Sequence, residues 1–113
     1  MPEADKQDIS SVIRFSGPQT IINAEEILKR LAMAVSATDD CIVCCGDLTD
    51  VDLSFVQLLL SARRSARSRA KALRLSAPVS GPLLDVLRRG GFVRPAEDSP
   101  PLADESFWLG TAP

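Results

Sequence analysis

The sequence predicts an α/β domain: a small, mostly parallel or mixed β-sheet with helices packed mainly on one side. Short apolar runs recur at Ile9–Phe15, Cys41–Cys45 and Ala72–Ser76. Between them lie two longer segments whose apolar residues fall at helical spacing. Strands separated by helices need crossover connections, and crossovers favour parallel pairing. At 113 residues the chain has room for one modest core.

Taken in order, Met1 to Asp8 are polar and are expected to form a mobile tail. Val12, Ile13 and Phe15 mark a first strand, with Gly17-Pro18 expected to turn the chain and Gln19 to Ile22 to add a second short strand. Asn23 is a suitable N-cap, followed by Glu25 and Glu26 where a helix dipole favours anions. The first helix then takes Ile27, Leu28, Leu31, Met33, Ala34 and Val35 as its apolar positions and stops between Ser36 and Asp40.

Cys41 to Cys45 is apolar on both faces and reads as an inner strand that gives out at Gly46. A short acidic loop follows, with Asp47, Asp50 and Asp52. Asp52 stands as N-cap to a second helix from about Leu53 to Arg69, which places Ser54 at the second helical position. Phe55, Val56, Leu59, Leu60 and Ala66 share one broad side of that helix, whereas Leu58 falls on the other side with Ser54, Ser61 and Ser65. After the strand Ala72–Ser76, Ser80 caps a third helix with Pro82 in its first turn and Leu83, Leu84, Val86 and Leu87 on its apolar face. Gly90-Gly91 ends it, and Phe92-Val93 is expected to add an edge strand. Domain boundaries follow: a tail over 1–8, the domain over 9–93, and a Pro-rich, acidic extension over 94–113. The extension carries Phe107, Trp108 and Leu109, which are too apolar for a free tail and are expected to dock on the domain, with a partner protein as the alternative acceptor.

Several function classes drop out. Cys41 and Cys44 point to opposite faces of a strand, and the chain has no histidine, so no metal site is built on the C-x-x-C spacing. The three cysteines read as small buried hydrophobes, and their odd count fits a reducing compartment. Arg63, Arg64, Arg67, Arg69 and Lys71 crowd the end of the second helix, but the net charge is −2 and no aromatics interleave with them. They read as a solvated helix end rather than a nucleic-acid surface. No apolar run is long enough to span a bilayer and no export signal opens the chain, so a cytoplasmic location without membrane insertion is expected. With no histidine, no Gly-rich phosphate loop and no nucleophile–base pair, neither an enzyme nor a cofactor is expected.

From about Ile9 to Val93 the pattern resembles the STAS domain, the family of sulphate transporters and anti-sigma-factor antagonists. The stretch Leu48-Thr49-Asp50-Val51-Asp52-Leu53-Ser54-Phe55 is similar to the family's L-x-x-hydrophobic-D-S-S-G loop between a strand and a helix. Asn23-Ala24-Glu25-Glu26 resembles the entry to its first helix, and Gly90-Gly91-Phe92 the ending of its last shared helix. The resemblance implies a phosphoacceptor at Ser54, matching the second motif serine, with Asp52 as the motif aspartate. Leu53 and Phe55 stand where the motif has serine and glycine, and Thr20 where the family often has an acidic residue.

Two functions follow from the resemblance. One is a non-enzymatic protein-binding module of a bacterial signalling pathway, anti-sigma-factor-antagonist-like or chemotaxis-linked. It would be gated by phosphorylation of Ser54, with Asp50, Asp52, Phe55 and Leu58 as the surface for a kinase or anti-sigma-type partner or a chemotaxis protein. The alternative is a constitutive adaptor subunit that binds the ATPase of a lipid-transport ABC complex.

Overall fold

The computed structural model describes residues 10–94, 102 and 104–110; the expected N-terminal tail and most of the Pro-rich linker lie outside the described residues. Three strands form a parallel sheet in the order β1-β2-β3: β1 (Ser10–Gln19), β2 (Asp40–Val51) and β3 (Ala72–Leu75). The connections are α1 (Ala24–Ala37) and α2 (Leu53–Ser68), and β3 is followed by α3 (Gly81–Arg89) and a short α4 (Glu105–Leu109). The strand order steps the same way twice, so crossovers of one hand place α1 and α2 on the same face of the sheet.

Side-chain alternation confirms which face is covered. Ile13 and Phe15 of β1, Cys41 and Val43 of β2 and Leu73 of β3 are buried beneath the helices. Their out-of-phase neighbours Val12, Arg14 and Arg74 are exposed, and Cys44 is half-buried. The Cys41–Cys45 run is thus the middle strand, but its two faces differ. From the helix side, Ile27, Leu31 and Val35 of α1 complete the core with Phe55, Val56, Leu59, Leu60 and Ala66 of α2 and Leu83, Val86 and Leu87 of α3. Of the apolar α1 positions expected, Leu28 and Met33 face solvent instead.

Four local expectations are corrected. Gly17-Pro18 does not end the first strand. Gly17 takes φ +69° and a register shift falls between Gly17 and Pro18, so the irregularity is absorbed inside β1. An edge strand tolerates a residue that donates no ladder hydrogen bond. Gln19 to Ile22 is no second strand: Ile21–Asn23 forms a 3-10 turn capped by Thr20. The acidic stretch after Gly46 is not a loop either, because β2 runs on to Val51 through a register shift opposite Arg14 and Ser16. Phe92-Val93 makes no strand. Phe92 N–H donates to Leu87 O at 2.8 Å and Gly91 N–H to Arg88 O at 3.2 Å, which closes α3 in the 6→1, 5→2 pattern with Gly91 at φ +80°.

The C-terminal aromatic segment docks. Trp108 and Phe107 are buried, and Trp108 O accepts from Val79 N–H at 3.0 Å. Glu105 fastens α4: its carboxylate accepts from Arg94 N–H and Arg94 Nε, both at 2.9 Å, and from Leu102 N–H at 3.3 Å. Arg63 pairs with Asp104 and lies 4.9 Å above the Phe107 ring. Lys71 Nζ donates to Val35 O at 2.8 Å at the end of α1. Two members of the basic cluster are therefore structural, one holding α4 and one capping α1.

Candidate functional site

The register Pro18↔Asp50 and Gln19↔Val51 ends β1 and β2 side by side. That pairing sets the turn Thr20–Asn23 against the start of α2. Asp52 joins them. Its Oδ1 accepts from Ser54 N–H at 3.0 Å and from Ser54 Oγ at 2.5 Å, while Oδ2 accepts from Ile21 N–H at 2.9 Å. The expected N-cap is thus in place, and Ser54 is the second helical residue. Desolvation raises the Asp52 pKa, but the hydrogen bonds from Ser54, Ile21 and Phe55 outweigh it and hold the carboxyl below its usual range.

Asn23 stands at the N-cap position of α1 but makes no capping bond to that helix. Its side chain is used one turn earlier. Oδ1 accepts from Thr20 N–H at 2.8 Å, and Nδ2 donates to Gln19 Oε1 at 2.7 Å. Gln19 is buried and passes the network on to Ser16 O at 2.8 Å. The turn beside Ser54 is therefore fixed from both sides, by Asp52 on one and by the amide network on the other.

The apolar residues assigned to this surface from sequence need correction. Phe55 is fully buried, edge-on to Phe15 with ring centroids 5.3 Å apart, so it fills the core and offers nothing to a partner. Leu58 is half-buried against that core. The exposed apolar side chains next to Asp52 and Ser54 are instead Ile21 (66% exposed), Ile22 (93%) and Leu53 (47%). Sequence reasoning missed the isoleucines because two β-branched residues in a row resemble a strand. Asp50 is exposed, as expected, and Ser54 is partly accessible.

Chemically, the cluster holds a hydroxyl whose proton is committed to a carboxylate. Among the described residues no three His, Cys, Asp or Glu side chains are grouped to hold a metal. What the arrangement offers is a serine at a helix start, poised on an anion that also ties down a neighbouring turn.

The family model described as "Mlab, STAS domain" matches residues 3–94. The chain belongs to the STAS family. Its fold is similar to that of the anti-sigma factor antagonist SpoIIAA in its unphosphorylated form, with a TM-score of 0.58 and 25% identity over 70% of this chain and 73% of that one. It is also similar to a sulfate transporter family protein from Wolinella succinogenes, with a TM-score of 0.57 and 22% identity over 74% of this chain and 67% of that one. No curated protein matches significantly. STAS membership and the SpoIIAA-like fold support a protein-interaction module, and no helix among the described residues is long and apolar enough to cross a membrane.

Proposed function

We propose that this STAS domain is a phosphorylation-gated binding module of a bacterial signalling pathway, and that its partner docks on the surface formed by Asp50, Asp52, Ser54, Ile21, Ile22 and Leu53. One observation carries the proposal: Ser54 Oγ donates to the same carboxylate that holds the exposed Ile21-Ile22 turn. A phosphate on Ser54 removes that proton and adds about −1.5 to −2 of charge beside Asp52. Two like unit charges ~4 Å apart at an effective dielectric of ~20 repel by about 4 kcal/mol. Asp52 keeps two hydrogen bonds, from Ser54 N–H and Ile21 N–H, worth about 1.5–3 kcal/mol each. A phosphate charge of about −1.5 to −2 raises the repulsion to about 6–8 kcal/mol, so repulsion wins. Asp52 swings away, Ile21 N–H is released, and the two isoleucines lose the position that the partner reads. The resemblance to an anti-sigma factor antagonist supports a partner of anti-sigma type.

The second reading is the constitutive adaptor of a transporter ATPase. It is favoured by the exposure of Ile21, Ile22 and Leu53, an apolar anchor that needs no modification to bind. Pull-down from the native host with wild type, Ser54→Asp and Ile22→Asp separates the cases. The gated module loses its partner in both variants, and the constitutive adaptor loses it only in Ile22→Asp. Equal recovery by all three proteins sinks both readings of this surface.

A further inference from the structure

A second surface lies at the other end of α2. Ser54 and Arg67 are thirteen residues apart on the helix, roughly 20 Å along its axis at ~1.5 Å per residue. There a groove of about 780 Å³ follows β3, with Arg63, Arg67, Lys71, Leu73, Arg74 and Phe107 among its lining residues. Strand β3 pairs only with β2 among the described residues. Ala72 N–H and Ser76 N–H donate inward, to Asp39 O and Val43 O, at 2.9 Å each. The two-residue period of a strand then turns the peptide groups of Leu73 and Leu75 outward, toward the groove. The groove thus combines a strand edge with no second partner among the described residues, an apolar floor from Leu73, Leu75 and Phe107, and four cations.

Those cations face a single lining carboxylate, Asp40, which Arg74 holds at 3.0 Å; Arg63 is held by Asp104. Arg67 is exposed and has no ion pair among the described residues, and Lys71 meets only the α1 carbonyls of Val35 and Ser36. A concentration of positive charge in a chain of net charge −2 leaves the groove the opposite sign to the whole. An exposed strand edge normally invites pairing with a second copy, and charges on it prevent that. Here the same cations that repel a second copy of β3 select a strand of opposite sign.

We infer that the β3 groove takes an acidic, extended segment of a partner protein, which adds as a fourth strand beside Leu73 and Leu75. Main-chain hydrogen bonds supply the pairing, and the acidic side chains meet Arg67 and Lys71. The site stands apart from Ser54 and does not depend on its gating.

The test uses the full chain and a fluorescein-labelled octapeptide of alternating valine and glutamate, followed by fluorescence anisotropy. Two control peptides carry lysine for every glutamate, or N-methylated backbone amides. Saturable binding of the acidic peptide is expected, at least tenfold weaker in the N-methylated peptide and in Arg67→Glu, and absent for the lysine peptide. Amide NMR shifts centred on Leu73 and Leu75 are expected in the same titration. Absence of saturable binding, equal binding of the N-methylated peptide, or shifts centred elsewhere overturns the inference. So does an oligothymidylate that binds as tightly as the acidic peptide and with the same dependence on Arg67, since it assigns the groove to nucleic acid.

Discussion

Asp52 Oδ2 accepts the Ile21 N–H at 2.9 Å, so the cap of α2 is also the anchor of the turn that leaves β1, thirty-one residues earlier in the chain. A single carboxylate therefore sets both the start of the helix and the position of the exposed isoleucines.

Replacing Asp52 with alanine should release both elements. Loss of a helix cap alone costs about 0.5–2 kcal/mol. For a domain of this size that corresponds to a thermal midpoint lower by several degrees, with ~1 kcal/mol shifting it by about 4–8 °C. Asp52→Asn, which still accepts at the cap, should lose less. Calorimetry of the two variants checks the order, and an unchanged midpoint in Asp52→Ala shows that the cap carries no stability.

Acid should undo α4 and the Asp52 tie together. The backbone N–H of Arg94 foremost, opposed by desolvation and aided by Leu102 N–H and the Arg94 side chain, holds the Glu105 carboxyl below its usual range. Asp52 is depressed as well. A carboxyl lowered in the folded state stabilises it fully above the unfolded pKa, about 4, and that stability is lost as pH falls through the lower folded value. Trp108, the chain's sole tryptophan, is buried on α4 and reports the change. Its emission should hold steady from pH 7 to about 5 and move to the red below about 4. Glu105→Gln should show part of that red shift already at neutral pH.

The three thiols should react in a fixed order. Burial pushes the Cys45 thiol up to about 12 with the neighbouring Cys44 adding to it, and burial followed by Asp40 raises that of Cys41. Cys44 lies half-buried on the uncovered face of the sheet. In native protein at pH 8, Cys44 should be modified first, and the other two only slowly until denaturant is added. Equal and rapid modification of all three would contradict a buried middle strand.

Leu59 of α2 is fully buried in the hydrophobic core. Leu59→Ala should cost about 2–5 kcal/mol, a large share of the stability of a small domain. Denaturant midpoints of Leu59→Ala and of Met33→Ala, whose side chain is exposed, should differ accordingly.

Much of the fold was legible because periodicity is a direct imprint of burial. Phe55, Val56, Leu59, Leu60 and Ala66 are spaced for one helix face and all five are buried there. The same spacing could not say that Phe55 was unavailable to a partner, since a residue next to the cap reads equally well as rim or core. Gly17-Pro18 and Gly46 read as chain breaks because local chemistry favours turns there. The sheet instead absorbs them as register shifts, a tertiary effect that no short window contains. The tie from Asp52 to Ile21 is invisible for a similar reason: it joins residues brought together by the parallel pairing of β1 and β2.

Gating at Ser54 is best judged by one affinity. With the partner recovered from the host, Kd is measured for the unmodified protein and for protein carrying phosphoserine installed at position 54 during translation. A phosphate that expels Asp52 and frees the Ile21-Ile22 turn should weaken binding at least tenfold, equivalent to about 1.4 kcal/mol. Equal or tighter binding by the phosphorylated protein would contradict a docking surface gated at Ser54.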